Sequence, residues 1–209
     1  MKTLSILIFA AIVPLFVAWA IDARKIIENV QERYEDMTDA TITFSQSVRF
    51  KVSKAEQTVK GTLQFKKPNM YRIETEERTV VTDGKTSWSW SPRNRQVVID
   101  NYKEETHSLS PEQLLLSYPK DYISTYIGEE KLSGQSSYVL KLTPKEEGSF
   151  ATAMKIWVAK DWLIRKVEIT DVNGAVTTYV IEKIGIDQKL ADSGFNFQVP
   201  DKAEIIDLR

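Results

Sequence analysis

The chain has 209 residues, one histidine and no cysteine, and its 28 Lys+Arg against 29 Asp+Glu leave a net charge of -1. That balance argues against a nucleic-acid partner, which calls for a basic excess. Without cysteine there is no disulfide framework, no thiolate chemistry and no residue for lipoprotein acylation, so the fold rests on packing alone.

At the N-terminus Lys2 precedes an apolar run from Leu4 to Val17, interrupted by Pro14. Ala18-Trp19-Ala20 then places small residues at the two positions that a signal peptidase reads. The run is short for a membrane span. Residues 1–20 are expected to be a cleaved signal peptide, and residues 21–209 a single domain in an extracytoplasmic compartment.

Asp22 is a good N-cap for a helix running to about Asp36. Its apolar positions Ile26, Ile27, Val30, Tyr34 and Met37 form one stripe. From residue 40 the period changes to two. Ile42, Phe44, Val48 and Phe50 alternate with polar residues, and Leu63 and Phe65 do the same until Pro68 ends that strand. Tyr71 and Ile73 follow, then residues 79–82, a turn at Asp83-Gly84, and the strand "TSWSW". "SPRNR" makes the next turn and "QVVID" (96–100) the next strand.

The alternation breaks at "SLSPEQLLLSYPKDY". Ser110 as N-cap and Pro111 at the first helical position open a short helix containing Leu114 to Leu116. Strands resume at 137–144 and 154–159, and residues 163–184 form a hairpin about Asn173-Gly174. The class is α+β: a large antiparallel sheet, curled by its accumulated twist into an incomplete barrel. The N-terminal helix and the short inserted helix lie on its concave face.

Trp88 and Trp90 are two residues apart, so both indoles share one face of their strand and Ser87 and Ser89 share the other. The turn decides which. A two-residue Asp83-Gly84 turn puts Trp88 with Thr79 and Val81, and a three-residue turn puts it with Val80. The expectation is that both indoles face the concave side with Tyr71 and Ile73, and that the serines face solvent.

Residues for catalysis are scarce. His107 sits in a polar stretch with no G-x-S-x-G elsewhere, and reads as a solvated loop histidine. The pairs Glu76-Glu77, Glu104-Glu105, Glu129-Glu130 and Glu146-Glu147 each lie beside an expected turn and read as solvated charge. No phosphate-cradling loop, H-x-x-H or D-x-D-x-D pattern occurs, so no enzymatic activity, cofactor or metal is expected.

Four stretches in order resemble the periplasmic lipoprotein carrier family, LolA: "GTLQFKKPNMYRIET" (61–75), "VVTDGKTSWSWSP" (80–92), "SPEQLLL" (110–116) and "FNFQVPDKAEIID" (195–207). The resemblance implies a curved sheet and a helical lid enclosing an apolar cavity for the acyl chains of lipoproteins. It implies loading by an inner-membrane ABC exporter, delivery to an outer-membrane acceptor, a periplasmic location and a monomeric carrier without reaction chemistry. On this sequence the cavity residues would be Leu63, Phe65, Tyr71, Ile73, Val80, Trp88, Trp90, Leu114 and Leu115. Where the family commonly has arginine before the strand-ending proline, this chain has Lys67. That residue is expected to hold lid-helix carbonyls as a latch, with less geometric fixity than an arginine fork.

The physics agrees with such a role. Three acyl chains of about 16 carbons, at about 0.8 kcal/mol per buried methylene, would bind far too tightly to be released. A carrier must therefore fit its cargo loosely. The alternatives are a lipid- or lipoprotein-sensing regulator on the same scaffold, a structural protein whose sheet is packed by its own side chains, and an enzyme acting on lipid or glycan.

Overall fold

A computed structural model describes residues 22–103, 122–145, 149 and 151–209. Helix α1 (Ala23–Glu35) begins where Asp22 caps it, its Oδ1 accepting the Arg24 N–H at 3.0 Å, and buries Ile26, Ile27, Val30 and Tyr34 along one stripe. Six strands follow before the first gap: β1 (Asp39–Arg49), β2 (Glu56–Lys66), β3 (Met70–Thr75), β4 (Thr79–Asp83), β5 (Thr86–Ser91) and β6 (Gln96–Asn101). Beyond it lie β7 (Tyr122–Leu132), β8 (Gln135–Pro144), β9 (Ala151–Ala159), β10 (Ile164–Asp171), β11 (Val176–Ile186) and β12 (Glu204–Asp207).

The twelve strands among the described residues belong to one open sheet in the order β12-β6-β5-β4-β3-β2-β1-β11-β10-β9-β8-β7. β1 joins its halves, pairing β2 on one side and β11 on the other. The pairings are antiparallel, as alternation and hairpin turns predict, with one correction: β12 lies parallel to β6, Glu204 opposite Gln96 and Ile206 opposite Val98. The cause is the route of the chain, which leaves β11, crosses the back of β2 and β3, and enters the edge running in the direction of β6. Lys66 Nζ holds this crossover at the Leu190 carbonyl (2.7 Å), and an Arg72 Nη donates to the Gly194 carbonyl (3.3 Å).

The main core includes α1, Ile42 and Phe44 of β1, Leu63 of β2, Ile73 of β3, Tyr122 of β7, Leu142 of β8 and Val167 of β10. With strands about 4.8 Å apart, a flat sheet would spread β3 and β7 by more than about 30 Å. A helix of 13 residues is only about 20 Å long and 10 Å wide. These side chains meet in one cluster because the sheet curls around α1, and the helix-bearing face is the concave one.

The seam at the base of β1 is tied by two carboxylates. Buried Asp39 accepts the N–H groups of Gln188 (2.7 Å) and Leu190 (3.2 Å), and Asp187 accepts the backbone N–H and the hydroxyl of Thr38, both at 2.8 Å. These bonds, with the Thr38 backbone and hydroxyl contributing most, hold the Asp187 carboxyl below its ordinary pKa.

Candidate functional site

Strand register fixes which side chains face the hollow. Leu63 lies opposite Ile42 on one side and Ile73 on the other, Phe65 opposite Ala40 and Tyr71, and Ile73 opposite Val80. Five of the cavity residues expected from sequence therefore share the concave face: Leu63, Phe65, Tyr71, Ile73 and Val80. Leu63 (0% exposed), Ile73 and Phe65 are packed into the core beneath α1. Tyr71 and Val80 are half-buried at its rim, and Tyr71 meets Tyr102 edge-on at 6.4 Å.

The tryptophans are the correction. The β4–β5 turn is centred on Gly84-Lys85, with Gly84 at φ +87°, where glycine has no Cβ penalty. Asp83 Oδ1 accepts the N–H groups of both Lys85 and Thr86 at 2.8 Å, which fixes that turn. It sets Val81 opposite Trp88 and Val80 opposite Ser89. Because Val80 faces the hollow, Trp88 and Trp90 face away from it, on the side of Arg72 and Val81. There they flank a second, smaller apolar layer on the convex face, where Val81, Val97, Ile99 and Phe195 are buried apart from the main core. Phe195 belongs to a 3-10 turn (Asp192–Phe195) that packs on β3 and β4.

Ser87 and Ser89 therefore face the hollow, beside Thr82 and Val98. Past Tyr71 and Val80 the concave face carries Thr82, Ser87, Ser89 and Val98, with Asp100 opposite Ser87, so it turns polar toward the β6 edge.

Among the described residues, Lys67 reaches the end of α1. Its Nζ donates to the backbone carbonyls of Tyr34 (2.9 Å) and Glu35, the unpaired acceptors at the C-terminus of α1. The expected lid helix, with Leu114 and Leu115, lies outside the described residues, as do His107 and the signal segment. The Tyr34 hydroxyl accepts the Ile164 N–H at 3.4 Å, tying the same helix end to β10, and burial pushes its pKa up to about 12.

Sequence reasoning missed a second rim on the far edge of the hollow. Tyr138 stacks on Trp162 at 5.8 Å and meets Tyr126 edge-on at 6.4 Å, and all three border the core half-buried. Lys160 Nζ sits 3.6 Å from the Tyr138 ring centroid and 2.9 Å from Glu129. The signal available was the alternation of Tyr138 with Leu140 and Leu142 in "SYVLKL". Trp162 gives none, because it sits in a tight turn at φ +64°. Among the described residues no three His, Cys, Asp or Glu side chains converge on a metal position, and no helix is long and apolar enough to cross a membrane.

An open sheet curled around one helix, with apolar rims on both sides of a packed centre, defines a class of half-barrel domains. Residues 35–198 match the family described as outer membrane lipoprotein carrier protein LolA, and the chain belongs to that family. An outer-membrane lipoprotein carrier protein of Histophilus somni (strain 2336) is 29% identical over 196 residues, covering 92% of this chain and 91% of the relative. Another, of Glaesserella parasuis serovar 5 (strain SH0165), is 30% identical over 191 residues, covering 90% and 88%. In fold, the chain is similar to the crystal structure of an uncharacterized conserved protein from Thermus thermophilus, with TM-score 0.60, 14% identity, and coverage of 88% of this chain and 98% of that one.

Proposed function

We propose that this protein is a non-catalytic carrier that holds the acyl chains of lipoproteins against its concave face. It works as a monomer in the periplasm, after loss of residues 1–20, with residues 21–209 as one carrier domain. It receives cargo from an inner-membrane ABC exporter and passes it to an outer-membrane acceptor. The observation that carries the reading is the pair of half-buried apolar rims, Tyr71 with Val80 and Tyr126 with Tyr138 and Trp162, bordering one core. Family membership and the names of the relatives support the same role.

In this reading α1 competes with cargo for Leu63, Phe65 and Ile73, and Lys67 sets how firmly α1 stays. That competition is the loose fit a releasable cargo needs. Leu114 and Leu115 keep their proposed part as a cover. The chain leaves the sheet at β6, next to one edge, and re-enters it at β7 on the opposite edge, which suits a covering segment.

Native mass spectrometry of protein purified from a periplasmic extract tests the proposal. Co-purified triacylated or diacylated polypeptide is the expected result. An empty compact species with no affinity for acylated peptide would refute it, and steady turnover of lipid would replace it with an enzyme. A sensor on the same scaffold would bind lipid but fail to hand acylated peptide to outer-membrane vesicles.

A further inference from the structure

The hairpin ends of β1–β2 and β10–β11 lie side by side at one end of the sheet, because β1 and β11 pair as far as Arg49 opposite Val176. Lys51 lies across the neighbouring turn: a Cβ on Gly174 would sit 2.6 Å from Lys51 Cδ. The two loops are therefore one surface. Three apolar side chains project from it, with Val52 94% exposed, Val172 62% and Phe50 40%. Turns ordinarily take polar residues or glycine at such positions, and a cluster of exposed apolar side chains marks a contact site.

The charges beside these tips are mostly positive. Arg49, Lys51 and Lys54 are exposed around them, with Glu56 as the nearby exposed carboxylate. Asp171 Oδ1 is engaged by the N–H groups of Asn173 (2.8 Å) and Ala175 (2.9 Å). The next turn along this end carries exposed Glu76, Glu77 and Arg78, a net negative charge beside the basic apolar patch. The patch protrudes on two adjacent loops, a shape that suits insertion into a yielding surface.

We infer that this corner is a membrane-contact site. It inserts Val52, Val172 and Phe50 among the headgroups of an anionic lipid bilayer and sets Arg49, Lys51 and Lys54 at phosphate level. The inference goes beyond the carrier reading and does not rest on it, since the loops lie outside the hollow and need no cargo.

Flotation of the purified protein with vesicles tests it, using phosphatidylglycerol in phosphatidylcholine against phosphatidylcholine alone. Binding to the anionic vesicles at low salt, reversed by high salt, is expected. Residues 4–17 are themselves apolar, so the loop variants carry the decision. Val52→Asp with Val172→Asp should weaken partitioning about tenfold. Lys51→Gln with Lys54→Gln should weaken it about fivefold for each cation removed. Val52 and Val172 are solvent-exposed, so the first variant keeps the wild-type melting temperature, and that measurement confirms its fold. Wild-type protein that ignores anionic vesicles, or variants that float like wild type, would overturn the inference. So would self-association that Val52→Asp abolishes without any vesicle binding, which would assign the corner to a second copy of the chain.

Discussion

Lys67→Ala removes a side chain that, with the Tyr34 hydroxyl, ties the C-terminus of α1 to the sheet. Its ammonium donates to the Tyr34 and Glu35 carbonyls, which have no helical partner of their own. A hydrogen bond to a charged group nets about 1.5–3 kcal/mol when shielded, and a cation at a helix C-terminus about 0.3–1 kcal/mol. Lys67 is an exposed residue, so water screens both effects and a total of about 1–2 kcal/mol is reasonable. For a domain of this size that corresponds to a melting temperature lower by about 3–6 °C. Thermal unfolding followed by circular dichroism reads the loss. Amide exchange should quicken in the last turn of α1, at Asp36, whose N–H is bonded to the Glu32 carbonyl at 3.0 Å. Lys67→Arg should retain wild-type stability, because the guanidinium fork can reach both carbonyls. A Lys67→Ala protein melting within about 1 °C of wild type, with unchanged exchange, would refute the reasoning and with it the role of Lys67 in holding the helix closed.

Phe195→Ala should cost about 3–5 kcal/mol in denaturant unfolding, because it empties the buried centre of the convex layer, yet leave the affinity for a fluorescent acyl probe unchanged. Trp88→Ala should likewise lower stability without weakening the probe, whereas Val80→Asp on the opposite face should weaken it at least about tenfold. Equal effects from the two would mean the assigned faces are wrong. Asp39→Ala leaves the Gln188 and Leu190 N–H groups without their acceptor, and limited proteolysis should then cut residues 187–203 faster than in wild type. The acid limb follows from Asp187. Its folded pKa lies below the unfolded value, so its stabilising contribution is complete above the ordinary carboxylate range and is lost as pH falls through the folded value. Melting temperature should be insensitive to this group between about pH 5 and 7 and fall below about pH 4. Asp187→Asn should flatten part of that fall, and an unchanged acid limb would count against the assignment.

Much of the architecture can be read from local pattern, because a stripe on α1 and alternation on each long strand are imposed by the same burial the fold requires. Ile26, Val30 and Tyr34 reach the core, and Leu63, Phe65 and Ile73 face it, as their spacing predicts. What escapes is whatever depends on an offset of one residue or on long range. The face of Trp88 turned on whether the β4–β5 loop held two residues or three, and both alternatives satisfy the same alternation. The parallel β12 and the convex layer under Phe195 arise from a crossover that carries little periodicity of its own. The contact of Lys67 with the end of α1 had no sequence signal, because it depends on which carbonyls lie within reach of the ammonium.

The seam between β1 and β11 also sets how this chain must fold. Strands β2 to β6 and β7 to β11 are linked to their neighbours by short hairpins except at the sheet edges, so each half can zip up locally. Joining the halves brings together residues as far apart as Thr38 and Asp187, separated by 149 positions. Closing so long a loop is slow, since its entropy must be lost before the contacts it enables are made. Until then each half exposes an unpaired strand that can recruit another chain. The two aspartates, Asp39 and Asp187, thus stand at a long-range joint of the sheet. Their loss should appear first as a slower, concentration-sensitive refolding, ahead of any change in the finished fold.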